Sequence, residues 1–336
     1  MGLRWKQRPD GSTWGDWGND DQLGRLNLIT EEKVLQGIAE VKTGKTFCLS
    51  LPLNYPGGQV INKVRFPPVL KPVNRNNKLY FNYHWEQLNP NHKDIASDDY
   101  VVLYNQYSTQ WDSLAHRGAM FDINGDNKPL PVYYNGFRAD QDIVINDNFE
   151  TEANSLGIEN MAFHGVQGRG ILINLHNSFG DFPRVEVGYD DLMRIIEKDN
   201  IIVEKGDIIC LWTGLDKMIM KMKGKPDNSI NLACAVLNGF DDKLLKWIVD
   251  SGVAAIASDN IAVEAIGKDI PKGRNTNLPL HELCLFRLGV HLGELWYLAE
   301  LAQWLKANNR SRFLLTAPPL RLTGAVGSPV TPIATV

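Results

Sequence analysis

Apolar positions along this chain follow two rhythms, and the switches between them mark its elements. Behind Thr30-Glu31-Glu32-Lys33, the residues Val34, Leu35, Ile38 and Val41 recur at helical spacing, and the Thr30 hydroxyl suits the first turn as a cap. Residues 47–53 have strand character. Further on, the continuous apolar runs 170–175, 207–213 and 253–257 read as buried strands. Residues 189–198, with Leu192, Ile195 and Ile196 on one side, read as a helix. So do residues 241–251, stopped by Gly252, and a closing stretch over 295–306. Strands alternating with helices imply an α/β class, while the many irregular stretches argue against a plain doubly wound sheet.

Those irregular stretches have characters of their own. Residues 1–30 are rich in Gly, Trp and Asp and read as an arm that packs through its tryptophans. Residues 55–100 are polar, rich in Pro and Asn, and include Tyr80, Tyr83, His84, Trp85 and His92. They predict a long ordered loop region, with a lid as one use of it. A short strand over 101–104 then leads into Gln106, and residues 122–142 are turn-rich again. No internal repeat breaks the chain. The expected organisation is one continuous domain: an N-terminal arm and helix over 1–45, a body over 46–310 and a tail over 311–336.

Composition narrows the function classes. The 336 residues carry a formal net charge of −4, with charges of both signs mixed along the chain, so no field gathers nucleic acid or an acidic membrane surface. A small molecule is the expected partner. The four cysteines form no Cys-x-x-Cys pair, which favours a reducing compartment. No apolar run reaches the roughly 20 residues a membrane span needs, and the start of the chain lacks an apolar signal core. The expected location is cytoplasmic. Gly2 raises the possibility of myristoylation, but Lys6 stands where that pattern wants Ser or Thr.

The segment most informative about chemistry runs from Gln106 to His116. It combines two side-chain amides, a carboxylate at Asp112 and a histidine one helical turn further on. Asp112 could coordinate a cation and His116 could move a proton to or from bound water. A polar loop with one hydrogen-bonded histidine would look similar. Near the C-terminus, His281 follows a Pro-bounded turn and begins an expected helix. Glu294 is expected to begin the last helix, where the dipole alone would favour an acid. Asp259 follows the strand over 253–257, with Glu264 close behind, and either a site carboxylate or a helix cap explains it. Arg169 could bind a substrate carboxylate or pair with a buried acid. His164 and His176 read best as structural.

Taken in order, these segments resemble the cyclase-like metal-dependent hydrolases, the family of bacterial kynurenine formamidase and isatin hydrolase. The likeness runs from Trp14 to about Ala302. It includes Trp17 to Asn27, Gly168-Arg169-Gly170, Gly206-Asp207, Thr213-Gly214, Gly252 to Asp259, and Leu278-Pro279-Leu280-His281 through Glu294. The family signature His-x-Gly-Thr-His-x-Asp-x-x-x-His falls here on Gln106-x-Ser108-Thr109-Gln110-x-Asp112-x-x-x-His116.

The resemblance implies a single-domain mixed sheet of the swivelling β/β/α type. It implies metal ligation by Gln106, Gln110, Asp112, His281 and Glu294, with His116 as general acid/base beside Asp112. Trp111 and the aromatics of residues 80–85 are then expected as pocket walls, although core packing explains Trp111 equally well. Arg169, Asp259 and Glu264 are expected near the substrate. Two histidine ligands have become glutamines. An amide oxygen is a weak neutral donor matched to harder cations such as manganese, magnesium or calcium rather than zinc. The expected cofactor is a divalent metal, manganese or zinc, or none at all.

The implied reaction is hydrolysis of a small amide, cyclic amide or lactone by metal-activated water. One alternative is a metal-free cyclase, lactonising or dehydrating enzyme using Asp112 and His116. Another is a small-molecule binding protein without chemistry. The resemblance also implies a homodimer or homotetramer.

Overall fold

A computed structural model describes residues 3–267 and 269–336. Its centre is a curled, mixed sheet of nine strands. In chain order these are β1 (Thr46–Cys48), β2 (Gln110–Asp112), β3 (Gln167–Asn174), β4 (Ile208–Trp212), β5 (Ala255–Ser258), β6 (His291–Glu294), β7 (Arg312–Thr316), β8 (Gly327–Pro329) and β9 (Ile333–Thr335). Across the sheet they run β1-β9-β7-β3-β4-β5-β6-β2-β8. The middle four, β3 to β6, are parallel, and every other neighbour is antiparallel.

The unbroken apolar runs in the sequence have a direct cause. The parallel strands are covered on both faces, so neither side of them can be polar. Ile171, Ile173, Ile209, Leu211 and Ile256 point into one core, shared with helices Tyr189–Lys198 and Asp242–Ser251. Leu172, Ile208, Cys210, Ala255 and Ala257 point into the other, shared with helix Ala299–Ala307. Asp241 caps the helix it precedes, and Gly252 ends that helix at φ +65°, as expected.

The first helix, Glu31–Ala39, is capped by Thr30 as the sequence predicts, but its packing face is different. Leu35 and Ile38 are exposed, whereas Lys33 and Gly37 are buried. Gly37 lies directly on the backbone of Gly168, where a Cβ would come within 2.8 Å of a carbonyl carbon. Lys33 reaches Asp207 at 3.1 Å. Close backbone approach and an ion pair dock this helix, and of the expected stripe Val34 packs against the core.

Four further expectations are corrected. The segment 311–336, read as a tail, supplies strands β7, β8 and β9 of the main sheet. The strand before Gln106 runs Asp99–Val102 and pairs with Val69–Pro72 in a two-stranded ribbon outside the main sheet. The loop region over 55–100 is thus partly built of small ribbons, the others pairing Asn74–Arg75 with Lys78–Leu79 and Tyr83–His84 with Ile95–Ala96. Glu294 ends β6 instead of starting a helix. The chain turns at Leu295 (φ +55°), and the last helix begins at Ala299, where Asp216 accepts the N–H groups of Leu298 and Ala299 at 2.7 Å each. Among the described residues no helix is long and apolar enough to cross a membrane.

His291, at the start of β6, is buried with its Nδ1 unpartnered. Burial, reinforced by nearby His164, pushes it down to about 3. The unfolded chain takes up this proton near pH 6.5 and the folded chain only near pH 3, so the neutral ring's contribution to stability is lost as pH falls through that window. Urea unfolding at pH 7, 6, 5 and 4 should show His291→Met with a shallower acid loss than the wild type, by up to about 1.4 kcal/mol per pH unit below 6. Parallel curves for the two proteins would contradict this.

Candidate active site

Strand β2 lies between β6 and β8, and its pleat decides what faces the site. Gln110 and Asp112 point one way and Trp111 the other. Trp111 is fully buried, stacks edge-to-face on Trp296 at 4.9 Å and donates its Nε1 to Ala317 O at 2.9 Å. It is core, so the expectation of a pocket wall is corrected. Gly293, its partner in β6, leaves the room both indoles need. Thr109 fixes the entry to β2. Its hydroxyl accepts from Leu51 N at 2.9 Å and donates to Leu295 O at 2.5 Å.

Three side chains from distant parts of the chain meet here. Asp112, His281 and Glu294 offer ligand atoms that all lie within 4.8 Å of one another, and all three residues are buried. Glu294 stands opposite Gln110 in the register of β6 and β2, and Gln110 Nε2 donates to its Oε2 at 2.8 Å. His281 Nε2 lies 3.3 Å from Glu294 Oε1. His281 ends the short helix Pro279–His281, which continues as the π-helical stretch Glu282–Leu288.

Glu264 holds that histidine. One oxygen meets His281 Nδ1 at 2.7 Å and accepts His281 N at 2.8 Å, while the other accepts Leu280 N at 3.0 Å. Glu264 was expected to touch substrate. It instead orients the ring from behind, which leaves Nε2 facing Glu294 and Asp112.

The electrostatics follow from burial. Both oxygens of Asp112 and Oε1 of Gln110 are buried without a hydrogen-bond donor among the described residues. Removal from water, with Glu294 nearby, pushes Asp112 up to about 6, against the opposing pull of His116 and His281. Burial lowers the pKa of His116, so its imidazole is neutral at pH 7. Its Nε2 is 3.8 Å from Asp112 Oδ1. Burial also works against a charged His281, but hydrogen bonds to Glu264 and Glu294 outweigh it and raise that ring to about 10.

Other expected site residues lie elsewhere or do other work. Gln106 sits just before β2 with Nε2 buried, unpartnered and against Gly327, the residue paired with Asp112 across β8. Arg169 is near the start of β3, whereas the site gathers where β5 and β6 end. Its guanidinium grips Asp207 through two bonds of 2.9 and 3.0 Å and meets Glu204 at 2.8 Å. Its expected role as a substrate ligand is corrected to a buried ion pair.

Asp259 is fully buried and accepts the amides of Thr213 and Gly214 at 2.8 Å each, tying the end of β4 to β5. It is a structural staple rather than a substrate contact. Tyr80, Tyr83 and Trp85 pack on one another within their ribbon, and His84 and His92 are exposed there. His176 pairs with Asp181 at 2.8 Å.

Arg65 was missed by the sequence reading. It is half-buried, donates to Gln106 O at 2.8 Å, and lies near enough for its charge to bear on Asp112 and His116. A single arginine in a polar, Pro-rich stretch gives no local signal of this.

The arrangement offers a cation two carboxylates, one imidazole nitrogen and one amide oxygen, with a histidine beside them to carry a proton. Comparison with known proteins agrees with this architecture. The sequence profile of the putative cyclase family matches residues 49–265. A solved structure described as a novel cyclase superposes with a TM-score of 0.76 at 30% identity, over 97% of this chain and 99% of its own. Isatin hydrolase A from Ralstonia solanacearum is similar at a TM-score of 0.54 and 14% identity, over 86% of this chain and 91% of that one. An isatin hydrolase bound to the product analogue thioisatinate gives 0.54 and 15%, over 91% and 99%. At these identities the two isatin hydrolases share the fold. Among curated proteins none matches the sequence.

Glu264 carries a prediction. Glu264→Ala leaves a buried imidazole and two backbone N–H groups without their acceptor, and should cost about 3–5 kcal/mol of unfolding free energy. A loss under about 1 kcal/mol in denaturant titration would show that Glu264 does not hold His281.

Proposed function

Because the chain belongs to the putative cyclase family, we propose that it is a metal-dependent hydrolase of a small amide, cyclic amide or lactone. One observation carries the reading. Asp112 Oδ1, Asp112 Oδ2 and Gln110 Oε1 are buried acceptors with no donor, and they stand beside His281 and Glu294. Buried acceptors without a partner are costly, and a bound cation would answer them. The residues therefore fit a divalent ion, held by Asp112, Glu294, His281 Nε2 and Gln110 Oε1. A bound ion supplies polarisation of a carbonyl oxygen and a water of lowered pKa.

The chain's own groups do the rest. His116 is neutral at pH 7 and accepts a proton from water at Nε2. Asp112 steadies the imidazolium so formed. The same proton then passes to the leaving nitrogen or oxygen, which balances hydrolysis without a second base. Glu264 keeps Nδ1 of His281 engaged so that Nε2 faces the ion. Three oxygen donors against one nitrogen make a hard site that manganese suits by donor type, while raw affinity at such a site still rises from manganese to zinc.

A second reading rests on the Asp112–His116 pair. Burial raises the carboxyl and lowers the imidazole, so the two approach each other in acidity at 3.8 Å. Such a pair supports metal-free lactonisation or dehydration. Chelation separates the two readings. Purified protein should bind one divalent ion per chain, manganese among those accepted, and lose turnover of an amide and lactone panel after chelation. Asp112→Asn should weaken uptake, whereas His116→Ala should bind the ion and lose roughly 10²–10⁴-fold in kcat. Full turnover without any divalent ion would overturn the metal reading in favour of the metal-free one.

We also propose that the chain assembles with itself, through the ribbon of Val69–Pro72 and Asp99–Val102. Leu70, Val101 and Val102 are exposed on it, as are Val64 and Phe66 beside it. An isolated two-stranded ribbon is marginal in water, and a twofold pairing of equal ribbons covers both copies at once. Light scattering should give a dimer or tetramer mass for the wild type and a lower mass for Leu70→Asp with Val102→Asp. A monomer mass for the wild type would contradict the assembly.

A further inference from the structure

We infer that the cleft over the site takes a ligand bearing a carboxylate, held by the Arg65 guanidinium and the Gln106 side-chain amide. The cleft is lined by Gln59, Asn62, Arg65, Gln106, Ile261 and Leu295. Leu295 directly follows Glu294, and Gln106 abuts the β8 residue paired with Asp112, so the cleft opens beside the catalytic groups. For its substrate class the inference rests on the proposed hydrolysis, since the carboxylate would belong to the molecule being cleaved.

Two independent features point to such a ligand. Arg65 has five N–H donors. Among the described residues its guanidinium makes one hydrogen bond, to the carbonyl of Gln106, and no ion pair with a carboxylate. Half-buried arginines of this kind are matched by planar, two-oxygen anions. Gln106 supplies the second feature, a buried Nε2 packed against Gly327 with no acceptor among the described residues. A buried donor left unpaired carries a desolvation penalty that a ligand oxygen would remove. Both groups are donors, and acceptor-rich ligands answer both.

The loop that carries Arg65 is tied down from several sides. Tyr107 Oη donates to Gly58 O at 3.0 Å, and Asn231 Nδ2 donates to Val60 O at 3.2 Å. Gly57, at φ +95°, presses on Gly224, where any Cβ would come within 2.1 Å of a carbonyl oxygen. Arg65 is thus presented by a fastened loop, which suits recognition more than a solvated surface charge does. Ile261 and Leu295 line the same cleft, whose open volume is only about 10 Å³, so the carboxylate would meet Arg65 at its mouth and the body of the ligand would stay outside it.

The test uses acetate, benzoate and phenylacetate, each against its own carboxamide, with the purified full chain and calorimetric titration. The titrations are run with and without one equivalent of manganese, and manganese uptake is read separately. At least one acid should bind about tenfold or more tightly than its carboxamide. Arg65→Gln should abolish that preference while leaving carboxamide affinity within about twofold, and Arg65→Lys should restore part of it. If no acid outbinds its amide, or if Arg65→Gln weakens acid and amide alike, the inference is overturned. An acid preference that Arg65→Gln leaves intact means ligation elsewhere, and overturns it too. Failure of the metal reading would show as absent manganese uptake, and the acid–amide comparison would still report on Arg65.

Discussion

Three buried oxygen acceptors without a donor among the described residues, two on Asp112 and one on Gln110, are the constraint on which the candidate site depends. A protein interior does not tolerate uncompensated carboxylate oxygens cheaply. The surroundings answer in part. His116 and His281 draw the Asp112 pKa down, and burial still leaves it raised to about 6. Glu294 is steadied by Gln110 and His281. What remains unanswered is a cluster of lone pairs aimed at one small volume, which is the physical description of a cation site.

The sheet brings that cluster together. Glu294 stands opposite Gln110 because β2 and β6 are antiparallel neighbours, and Asp112, two residues along β2, lies on the same face as Gln110. His281 arrives from the short helix before β6 and is fixed by Glu264, which follows β5. The loops beyond the parallel strands are themselves stapled by buried acids. Asp259 ties β5 to the amides after β4, and Asp216 caps the last helix. Strand ends held by these bonds bring three unpartnered acceptors together at one place, which is the pattern of a functional site.

Much of this was legible in the sequence, and the limits have physical causes. The strands over 170–175, 207–213 and 253–257 announced themselves because burial on both faces demands continuous apolar runs. Thr30 and Gly252 marked helix ends because capping is local chemistry. Asp112, His281 and Glu294 could be joined only through the family resemblance, since no local period links residues so far apart in the chain. Trp111 was ambiguous because its direction depends on pairing with Gly293 across the sheet. Arg169 had a possible acid partner in view, but the fold had to bring Asp207 to it. The strands of 311–336 are short and the segment lacks a clear rhythm, so their pairing, not their pattern, makes them strands. Arg65 gave no signal, because what matters about it is the absence of a partner.

The central claim is that Gln110, in the place of a stronger ligand, still completes a cation site with Asp112, His281 and Glu294. Anomalous diffraction from crystals soaked in manganese tests it most directly. The account predicts one anomalous peak within bonding distance of an Asp112 carboxylate oxygen, Glu294, His281 Nε2 and Gln110 Oε1. No peak at Asp112, or an ion held with the Gln110 side chain turned away from it, would contradict the account.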